Sequence, residues 1–223
     1  MNNMYFKVIF EDDFVIAVDK KSGLLSVPSP KGEKNTLTSL LNDALVSKHE
    51  RAYPCHRLDR ETSGLVLYAK DLRIQKDIMD QFRHHKIIKK YLAIAQGRVR
   101  YKEAVLKGYI KPKDKQSKFA ITKFRVLSRS KSFSLLEVEP KTGRTNQIRL
   151  HLLKIGHPVV GERKYTVAKR WPLQFKRLCL HSYYLEFRHP ESGDLVRLTS
   201  GIPLDMHEFL RSLGVSLSLK RSL

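Results

Sequence analysis

The apolar and polar positions along the chain predict many short strands and fewer helices. Tyr5–Phe10 and Phe14–Val18 are rich in β-branched and aromatic residues and flank the acidic turn Glu11-Asp12-Asp13, which predicts a β-hairpin. Leu24–Val27 follows a Ser-Gly turn and is predicted as a short strand. Further apolar or alternating runs predict strands at Gly64–Ala69, Tyr91–Ala95, Ala104–Ile110, Phe119–Leu127 and Phe133–Val138, and a late hairpin of Leu178–Phe187 with Asp194–Leu198.

Helical spacing marks four other segments. Intervals of three and four residues predict a helix capped by Asn35 or Thr36, with its apolar stripe formed by Leu37, Leu40, Leu41, Ala44 and Leu45. The other three predicted helices are one capped by Asp71 that buries Ile74, Ile78 and Phe82, one over Arg144–Ile155, and a short closing one at Met206, Phe209 and Leu210. Because strands outnumber helices and short turns join them, we predict the α+β class, with a mainly antiparallel or mixed β-sheet and flanking helices. No internal repeat or long linker is evident, which favours a single domain over residues 1–223.

Charge is distributed unevenly along the chain. The 223 residues contain 43 lysines and arginines against 22 acids, a formal charge of +21. The first fifty residues hold six lysines against seven acids, so the whole surplus lies in the remainder. It is densest from Arg83 to Lys131, where 16 basic residues face only Glu103 and Asp114. Such a surplus favours a polyanionic partner, either a nucleic acid or an anionic membrane face.

Several protein classes are excluded by the composition. No apolar run approaches the roughly 18–20 residues of a membrane span, and the acidic N-terminus does not resemble a signal peptide. Cys55 and Cys179 form neither a disulfide framework nor a CxxC pair, so we expect a reducing, cytoplasmic setting and no metal site.

The densest group of reactive side chains is Cys55-His56-Arg57-Leu58-Asp59-Arg60-Glu61-Thr62-Ser63-Gly64, directly before an apolar strand. Functional groups on a loop held by a rigid strand are a common active-site arrangement. A carboxylate flanked by arginines stays ionised at neutral pH, so Asp59 suits a nucleophile or a stabiliser of positive charge rather than a general acid. A solvated loop with a surface ion-pair network is the alternative.

A second candidate segment is Lys141–His151. Gly143 permits a tight turn into a helix, which would put Thr145 at the helix N-terminus, where backbone N–H groups and Arg144 favour a phosphate. Arg149 follows about one turn later and could point into the same cleft. An ordinary basic helix face is the alternative.

Two further segments suit RNA. Tyr91 follows two lysines at the start of a strand and could stack on a base, although a half-buried strand tyrosine is the commoner meaning of this pattern. Lys107–Lys131 and the two residues after it hold few aromatic residues (Tyr109, Phe119, Phe124 and Phe133), which favours contact with the phosphate backbone over stacking on bases. Arg163–Trp171, which includes Lys164, Lys169 and Arg170, is another basic segment of this kind.

Taken in order, these segments resemble the RluA-type RNA pseudouridine synthases, and the match covers most of the chain. The catalytic signature of that family is similar to His56–Lys70 (HRLDRETSGLVLYAK), and its tyrosine segment is similar to Lys90–Gly97 (KYLAIAQG). Its third motif resembles Thr142–Tyr165 (TGRTNQIRLHLLKIGHPVVGERKY). The opening strands and the C-terminal segment resemble Asp13–Pro28, Leu180–Pro190 and Gly201-Ile202-Pro203.

The resemblance implies the pseudouridine synthase fold and an enzyme that isomerises specific uridines of rRNA or tRNA, with the target base flipped out and no cofactor or metal. Asp59 would be the catalytic aspartate, Tyr91 would pack against the uracil, and Arg149 would pair with Asp59. Arg57 would occupy the gap left by the flipped nucleotide. The other RNA contacts that we predict are His56, Arg60, Lys90, Arg144 and Lys164. We expect a stand-alone catalytic domain without an S4 domain, acting as a monomer.

The chain departs from the family pattern at two positions: Asn146 stands where histidine is usual, and Gly161-Glu162 where Gly-Asp is usual. Neither removes a residue with an implied chemical role, but either could alter how RNA is positioned. A non-catalytic RNA-binding or ribosome-assembly protein on the same fold is the alternative function. A carboxylate glycosidase using Asp59 and Glu61 is another, but the charge suits a polyanion better than a neutral sugar.

Overall fold

The computed structural model describes residues 4–29, 32–112, 116–167 and 171–215. The chain forms two compact units. The first unit comprises Met1–Ile88 and Tyr184–Ser200, and the second comprises Lys89–Tyr183 and Gly201–Leu223. The single domain expected from the sequence stays a prediction.

Ten strands and four α-helices are present in the described residues. In chain order they are β1 (Phe6–Glu11), β2 (Val15–Lys20), α1 (Leu37–Leu45), β3 (Tyr53–Pro54), β4 (Ser63–Ala69), α2 (Leu72–Arg83), β5 (Ile88–Gln96), β6 (Glu103–Ile110), β7 (Lys118–Arg129), β8 (Phe133–Pro140), α3 (Gln147–Lys154), β9 (Leu180–Arg188), β10 (Leu195–Thr199) and α4 (Leu204–Ser212).

The first unit is built on the antiparallel order β1-β2-β4. β3 pairs with β4, and β10 pairs with residues 184–188 of β9. Every residue of β4 is buried, as its continuous apolar sequence predicts. α2 begins where Asp71 Oδ1 accepts a hydrogen bond from the Ile74 backbone N–H (2.8 Å). The core contains Val15, Ala17, Leu65, Leu67, Ile74, Ile78, Leu185 and Phe187.

The second unit is built on the antiparallel order β5-β8-β7-β6. Its register places Tyr91 of β5 opposite Val138 of β8, and Val138 opposite Phe124 of β7. The side chains of α3 contact β7, because Gln147 Nε2 and His151 Nδ1 lie 3.0 and 2.8 Å from Thr122 Oγ1.

The predicted α+β class is confirmed, since the strand ladders within each unit are antiparallel and helices accompany them. The predicted strand at Leu24–Val27 is wrong. Leu25 forms only an isolated bridge to Thr36. The carbonyls of Leu25 and Ser26 instead accept hydrogen bonds from the first N–H groups of α1, at 2.7 and 3.1 Å.

Candidate active site

Asp59 begins a turn between β3 and β4. The Thr62 N–H donates to the Asp59 carbonyl at 3.1 Å, and the Asp59 side chain is half-buried. A carboxylate in this position is attached to the rigid β4 strand by only three intervening residues. We call residues 58–62 the Asp59 turn.

The Asp59 turn is held in place by the last residue of β2 and by the segment that follows it. Ser26 Oγ donates to the Leu58 carbonyl and accepts from the Leu58 N–H, both at 3.0 Å. Ser22 Oγ donates to the Glu61 carbonyl at 2.6 Å. The buried Lys20 ammonium donates to the Arg60 carbonyl at 3.2 Å and to the Leu24 carbonyl at 2.8 Å. Side chains of one segment therefore satisfy main-chain groups of the other, which fixes the position of the turn.

Three predicted RNA contacts lie within or beside the Asp59 turn. Arg57 is exposed, and Arg60 is exposed and paired with Glu33 at 2.6 Å. His56 Nε2 accepts a hydrogen bond from the Leu67 N–H at 3.0 Å, and its ring packs against Phe82 at 4.8 Å. His56 therefore has a role in the fold of the loop. Contact of these three residues with RNA stays a prediction.

Tyr91 lies in the second unit, on the sheet face that α3 covers. Residues directly opposite in antiparallel strands point to the same face, so Tyr91, Val138 and Phe124 share one face. Thr122 lies two residues from Phe124 and therefore faces the same way, toward its partners on α3. The Tyr91 side chain is 8% exposed, and the preceding Lys90 is half-buried. Burial also lowers the pKa of Lys89.

The start of α3 differs from its prediction. The helix begins at Gln147, because Asn146 has left-handed backbone angles (φ 53°, ψ 26°) that a continuous helix does not permit. Gly143, expected to supply the turn, is not in the left-handed region; Asn146 makes that turn. Arg144 and Thr145 lie in the preceding loop and are exposed.

Gln147 ties this loop to the sheet. Its Oε1 accepts from Thr142 Oγ1 (2.6 Å) and from the Arg144 N–H (3.0 Å). Its Nε2 donates to the Ile121 carbonyl (2.9 Å) and to Thr122 Oγ1 (3.0 Å). All four bonding positions of the amide are used, so the position of α3 against β7 is closely determined.

Arg149 forms a buried two-bond ion pair with Glu162. Nε and Nη2 of the guanidinium each lie 2.6 Å from a Glu162 oxygen, and the two side chains are 3% and 1% exposed. Burial by itself raises the pKa of Glu162, but hydrogen bonds and charge from Arg149 outweigh it, so the pKa lies below its usual range. Glu162 is therefore ionised at neutral pH and holds the guanidinium in one orientation.

The second departure from the family pattern is thus part of the site, which the sequence reasoning missed. Glu162 Oε1 also accepts from the backbone N–H groups of Lys164 and Tyr165, at 2.8 and 3.2 Å. The sequence did offer a signal, because Glu162 keeps an acidic side chain at the position after Gly161 where aspartate is usual. Gly161 itself has φ +82°, and a Cβ there would lie 1.9 Å from the Arg177 carbonyl oxygen, so the backbone that carries Glu162 requires glycine.

The first departure, Asn146, has contacts of its own. Its Oδ1 accepts from Tyr165 Oη at 2.6 Å and from Lys164 Nζ at 3.2 Å. The Tyr165 ring also lies under the Arg149 guanidinium, 5.4 Å from Cζ to the ring centroid. Lys164, predicted to bind RNA, therefore belongs to the group around Arg149, whereas Lys169 and Arg170 lie outside the described residues.

The two units thus supply different chemical groups. The first presents a half-buried carboxylate on a fixed turn, which can act as a nucleophile or a base. The second presents a mostly buried tyrosine and a buried, oriented guanidinium. Because Asp59 and Arg149 belong to different units, their pairing stays a prediction. Within the described ranges, no cluster of His, Cys, Asp or Glu side chains is placed to hold a metal ion, and no helix there is long and apolar enough to cross a membrane.

Comparison with known proteins identifies what the chain is similar to. Residues 14–154 match the family model described as RNA pseudouridylate synthase. The ribosomal large subunit pseudouridine synthase D of Nitrosomonas europaea is 35% identical over 93% of this chain. An uncharacterized RNA pseudouridine synthase of Bacillus subtilis is 32% identical over 94% of this chain and 73% of its own length.

Among solved structures, human RNA pseudouridylate synthase domain containing 4 has a TM-score of 0.80 at 22% identity, with 94% of each chain covered. This likeness shows the fold. The chain spans 65% and 64% of the lengths of two curated relatives, the synthases D of Nitrosomonas europaea and Neisseria meningitidis.

Proposed function

The chain belongs to the RNA pseudouridylate synthase family, and from this premise we propose that it isomerises uridines in structured RNA, with Asp59 as the catalytic carboxylate. The reaction breaks the bond between ribose C1′ and uracil N1 and forms a bond between C1′ and C5. The proton lost from C5 is balanced by one gained at N1. No oxidant, reductant or second substrate takes part.

The observation that carries the proposal is the Asp59 turn. Its main chain is held by Ser22, Ser26 and Lys20, so a functional carboxylate is presented on a rigid support. A surface ion-pair loop does not require this buried support for its backbone. The arrangement therefore favours the catalytic interpretation of the loop over the structural one.

Tyr91 and Arg149 have supporting roles in the proposal. Tyr91 packs against the uracil and assists removal of the C5 proton. Arg149 supplies a positive charge that pairs with the catalytic carboxylate and orients it, and Glu162 is the positioning residue that holds Arg149. A mostly buried tyrosine and a guanidinium fixed by two hydrogen bonds suit these tasks, because neither has to be ordered during the reaction.

The substrate in the proposal is an RNA from which a uridine can be extruded. Chemistry on a base requires it to leave the stack, at a cost of a few kcal/mol. Arg57 is exposed at the edge of the Asp59 turn and is the side chain that would fill the vacated position. Since the Nitrosomonas relative is named for the ribosomal large subunit, large-subunit rRNA is the first substrate to test, followed by tRNA.

The test compares Asp59→Asn with wild-type protein on rRNA and tRNA transcripts. Pseudouridine is measured by mass spectrometry of nucleosides, and RNA binding by filter retention. We expect the variant to lose at least about a hundredfold in rate while still binding RNA, because the substitution removes the carboxylate but not the cationic surface. Asp77→Asn is the matched control, since Asp77 is an exposed acid of the same unit on α2.

Pseudouridine formation at the wild-type rate by Asp59→Asn would overturn the assignment of Asp59. Binding of RNA by the wild-type protein with no pseudouridine on any transcript would instead favour a non-catalytic RNA-binding protein.

A further inference from the structure

Two aromatic side chains are exposed side by side on the open face of the second unit. Tyr109 of β6 lies directly opposite Phe119 of β7, and the ring centroids are 5.5 Å apart at 71°. The two residues are 68% and 44% exposed. The other two aromatic residues of this basic stretch, Phe124 and Phe133, are buried.

Lysine side chains lie beside the two aromatic rings on the same face of the sheet. Lys107 lies two residues from Tyr109 on the same strand, and Lys123 lies four residues from Phe119, so all four side chains share one face. Both lysines are exposed. Neither forms an ion pair with any residue of the described ranges.

Acidic side chains on this face are already engaged. Glu137 of β8 pairs with Arg125 at 3.0 Å and accepts a hydrogen bond from Tyr183. Glu139 lies directly opposite Lys123, but its ion pair is with Lys141. Glu103 lies opposite Arg125 at the far end of β6. The carboxylates of Glu137 and Glu139 are therefore neutralised by basic partners, and Glu103 is distant from the two aromatic rings. The end of the sheet that carries the rings keeps a surplus of positive charge.

We propose that the face formed by Val105, Lys107, Tyr109, Phe119 and Lys123, here called the Tyr109–Phe119 face, binds an unpaired segment of RNA. Its two rings stack on bases while Lys107 and Lys123 contact phosphates. The choice of RNA as the partner rests on the proposed function and on charge complementarity. The sequence alone favoured contact with the phosphate backbone over stacking on bases, because it did not show which two of the four aromatic side chains are exposed.

This face lies on the opposite side of the sheet from Tyr91. Tyr91, Val138, Phe124 and Ala104 lie opposite one another across the sheet and share one face. Tyr109 is an odd number of residues from Ala104, and Phe119 is an odd number from Phe124, so both side chains point to the other face. The Tyr109–Phe119 face is therefore separate from the proposed catalytic residues of the second unit. It would hold RNA that flanks the target uridine.

The test measures binding of fluorescein-labelled oligouridylate to the full chain by fluorescence anisotropy at several salt concentrations. Tyr109→Leu and Phe119→Leu keep an apolar side chain but remove the ring, and we expect each to weaken binding about tenfold. Tyr109→Phe should retain wild-type affinity. Lys107→Gln and Lys123→Gln should each reduce the slope of log affinity against log salt by about 0.7.

Tyr101→Leu is the matched control. Tyr101 belongs to the same unit and is 70% exposed, but it precedes β6 and lies outside the Tyr109–Phe119 face. We expect its oligouridylate affinity to equal that of the wild type. A labelled RNA duplex of the same length serves as a second control, and its binding should not change in the leucine variants because its bases are not available for stacking.

The inference is overturned if the wild type fails to bind oligouridylate, or if Tyr109→Leu and Phe119→Leu bind it as the wild type does. Dissociation of a dimer by these variants in sedimentation, with RNA affinity unchanged, would also overturn it and assign the face to a second copy of the chain. Failure of the proposed function is a different result: no pseudouridine forms on any transcript, whatever the oligouridylate affinity.

Discussion

The Asp59 turn of the first unit and the Arg149 side chain of the second are held by different kinds of interaction. The turn is held through its main chain, by the hydroxyls of Ser22 and Ser26 and the ammonium of Lys20. Arg149 is held through its side chain, by a Glu162 carboxylate that is almost fully buried.

The difference follows from what each functional group must do. Hydrogen bonds from Ser22, Ser26 and Lys20 to backbone carbonyls fix the position of the turn that carries Asp59. The Arg149 guanidinium is buried against a carboxylate, so its support is ionic, and removal of Glu162 would leave its charge uncompensated. We therefore expect the two supports to respond differently to mutation and to acid.

The largest expected effect is that of Glu162→Gln. This substitution keeps the shape of the side chain but leaves the Arg149 charge buried without its carboxylate, at a cost of about 3–5 kcal/mol in the free energy of unfolding. Urea denaturation measures the loss. Glu191→Gln, which removes the partner of the exposed Arg73, is the control and should leave the free energy of unfolding almost unchanged, because solvent screens this pair. Equal losses in the two variants would contradict the distinction between the supports.

Ser26→Ala should have a smaller effect. It removes both hydrogen bonds to Leu58 in a buried site, and we expect a loss of about 1–3 kcal/mol in the free energy of unfolding. It should also loosen the loop that carries Cys55. Burial raises the pKa of the Cys55 thiol to about 12, so in the wild type this thiol should react slowly with iodoacetamide.

The rate of Cys55 alkylation therefore reports on the Asp59 turn. Ser134→Ala is the matched control, because Ser134 is also buried and makes the same pair of bonds, to the Gly97 carbonyl and from the Val99 N–H, in the second unit. Faster alkylation of Cys55 in Ser26→Ala but not in Ser134→Ala is the expected result. The same acceleration of Cys55 alkylation in both variants would mean that the hydrogen bonds of Ser26 to Leu58 are not what holds the Asp59 turn.

The smallest expected effect is a difference in acid sensitivity. The pKa of Glu162 in the folded protein lies below its ordinary value of 4.5. The ion pair therefore stabilises the fold fully above about pH 4.5, and this stabilisation disappears as the pH falls through the folded-state pKa. The stability gap between wild type and Glu162→Gln should therefore narrow on acidification, whereas the gap for Ser26→Ala should stay constant. Urea denaturation midpoints of the three proteins, measured from neutral pH downward, check both predicted stability gaps. A constant gap for Glu162→Gln would be inconsistent with a lowered pKa.

The strands and helices were largely predictable because their signals are local. The β1–β2 hairpin, the buried strand β4 and the Asp71 cap of α2 each follow from periodicity or from one capping residue. Leu24–Val27 was mispredicted because its carbonyls bond to the start of α1 and Ser26 bonds to Leu58, neither of which is apparent from a four-residue pattern.

The sequence by itself indicated the family, and it pointed to Asp59, Tyr91 and Arg149 as site residues because each belongs to a contiguous motif of specific residue types. Their catalytic roles stay predictions. The sequence did not determine how those residues are held. Glu162 is thirteen residues from Arg149, and Ser26 is thirty-two from Leu58. Such pairs become visible only when the chain is folded, because they depend on long-range packing rather than on local spacing. Exposure of Tyr109 and Phe119 was likewise decided by tertiary structure, since only the fold shows that α3 covers the other face of their sheet.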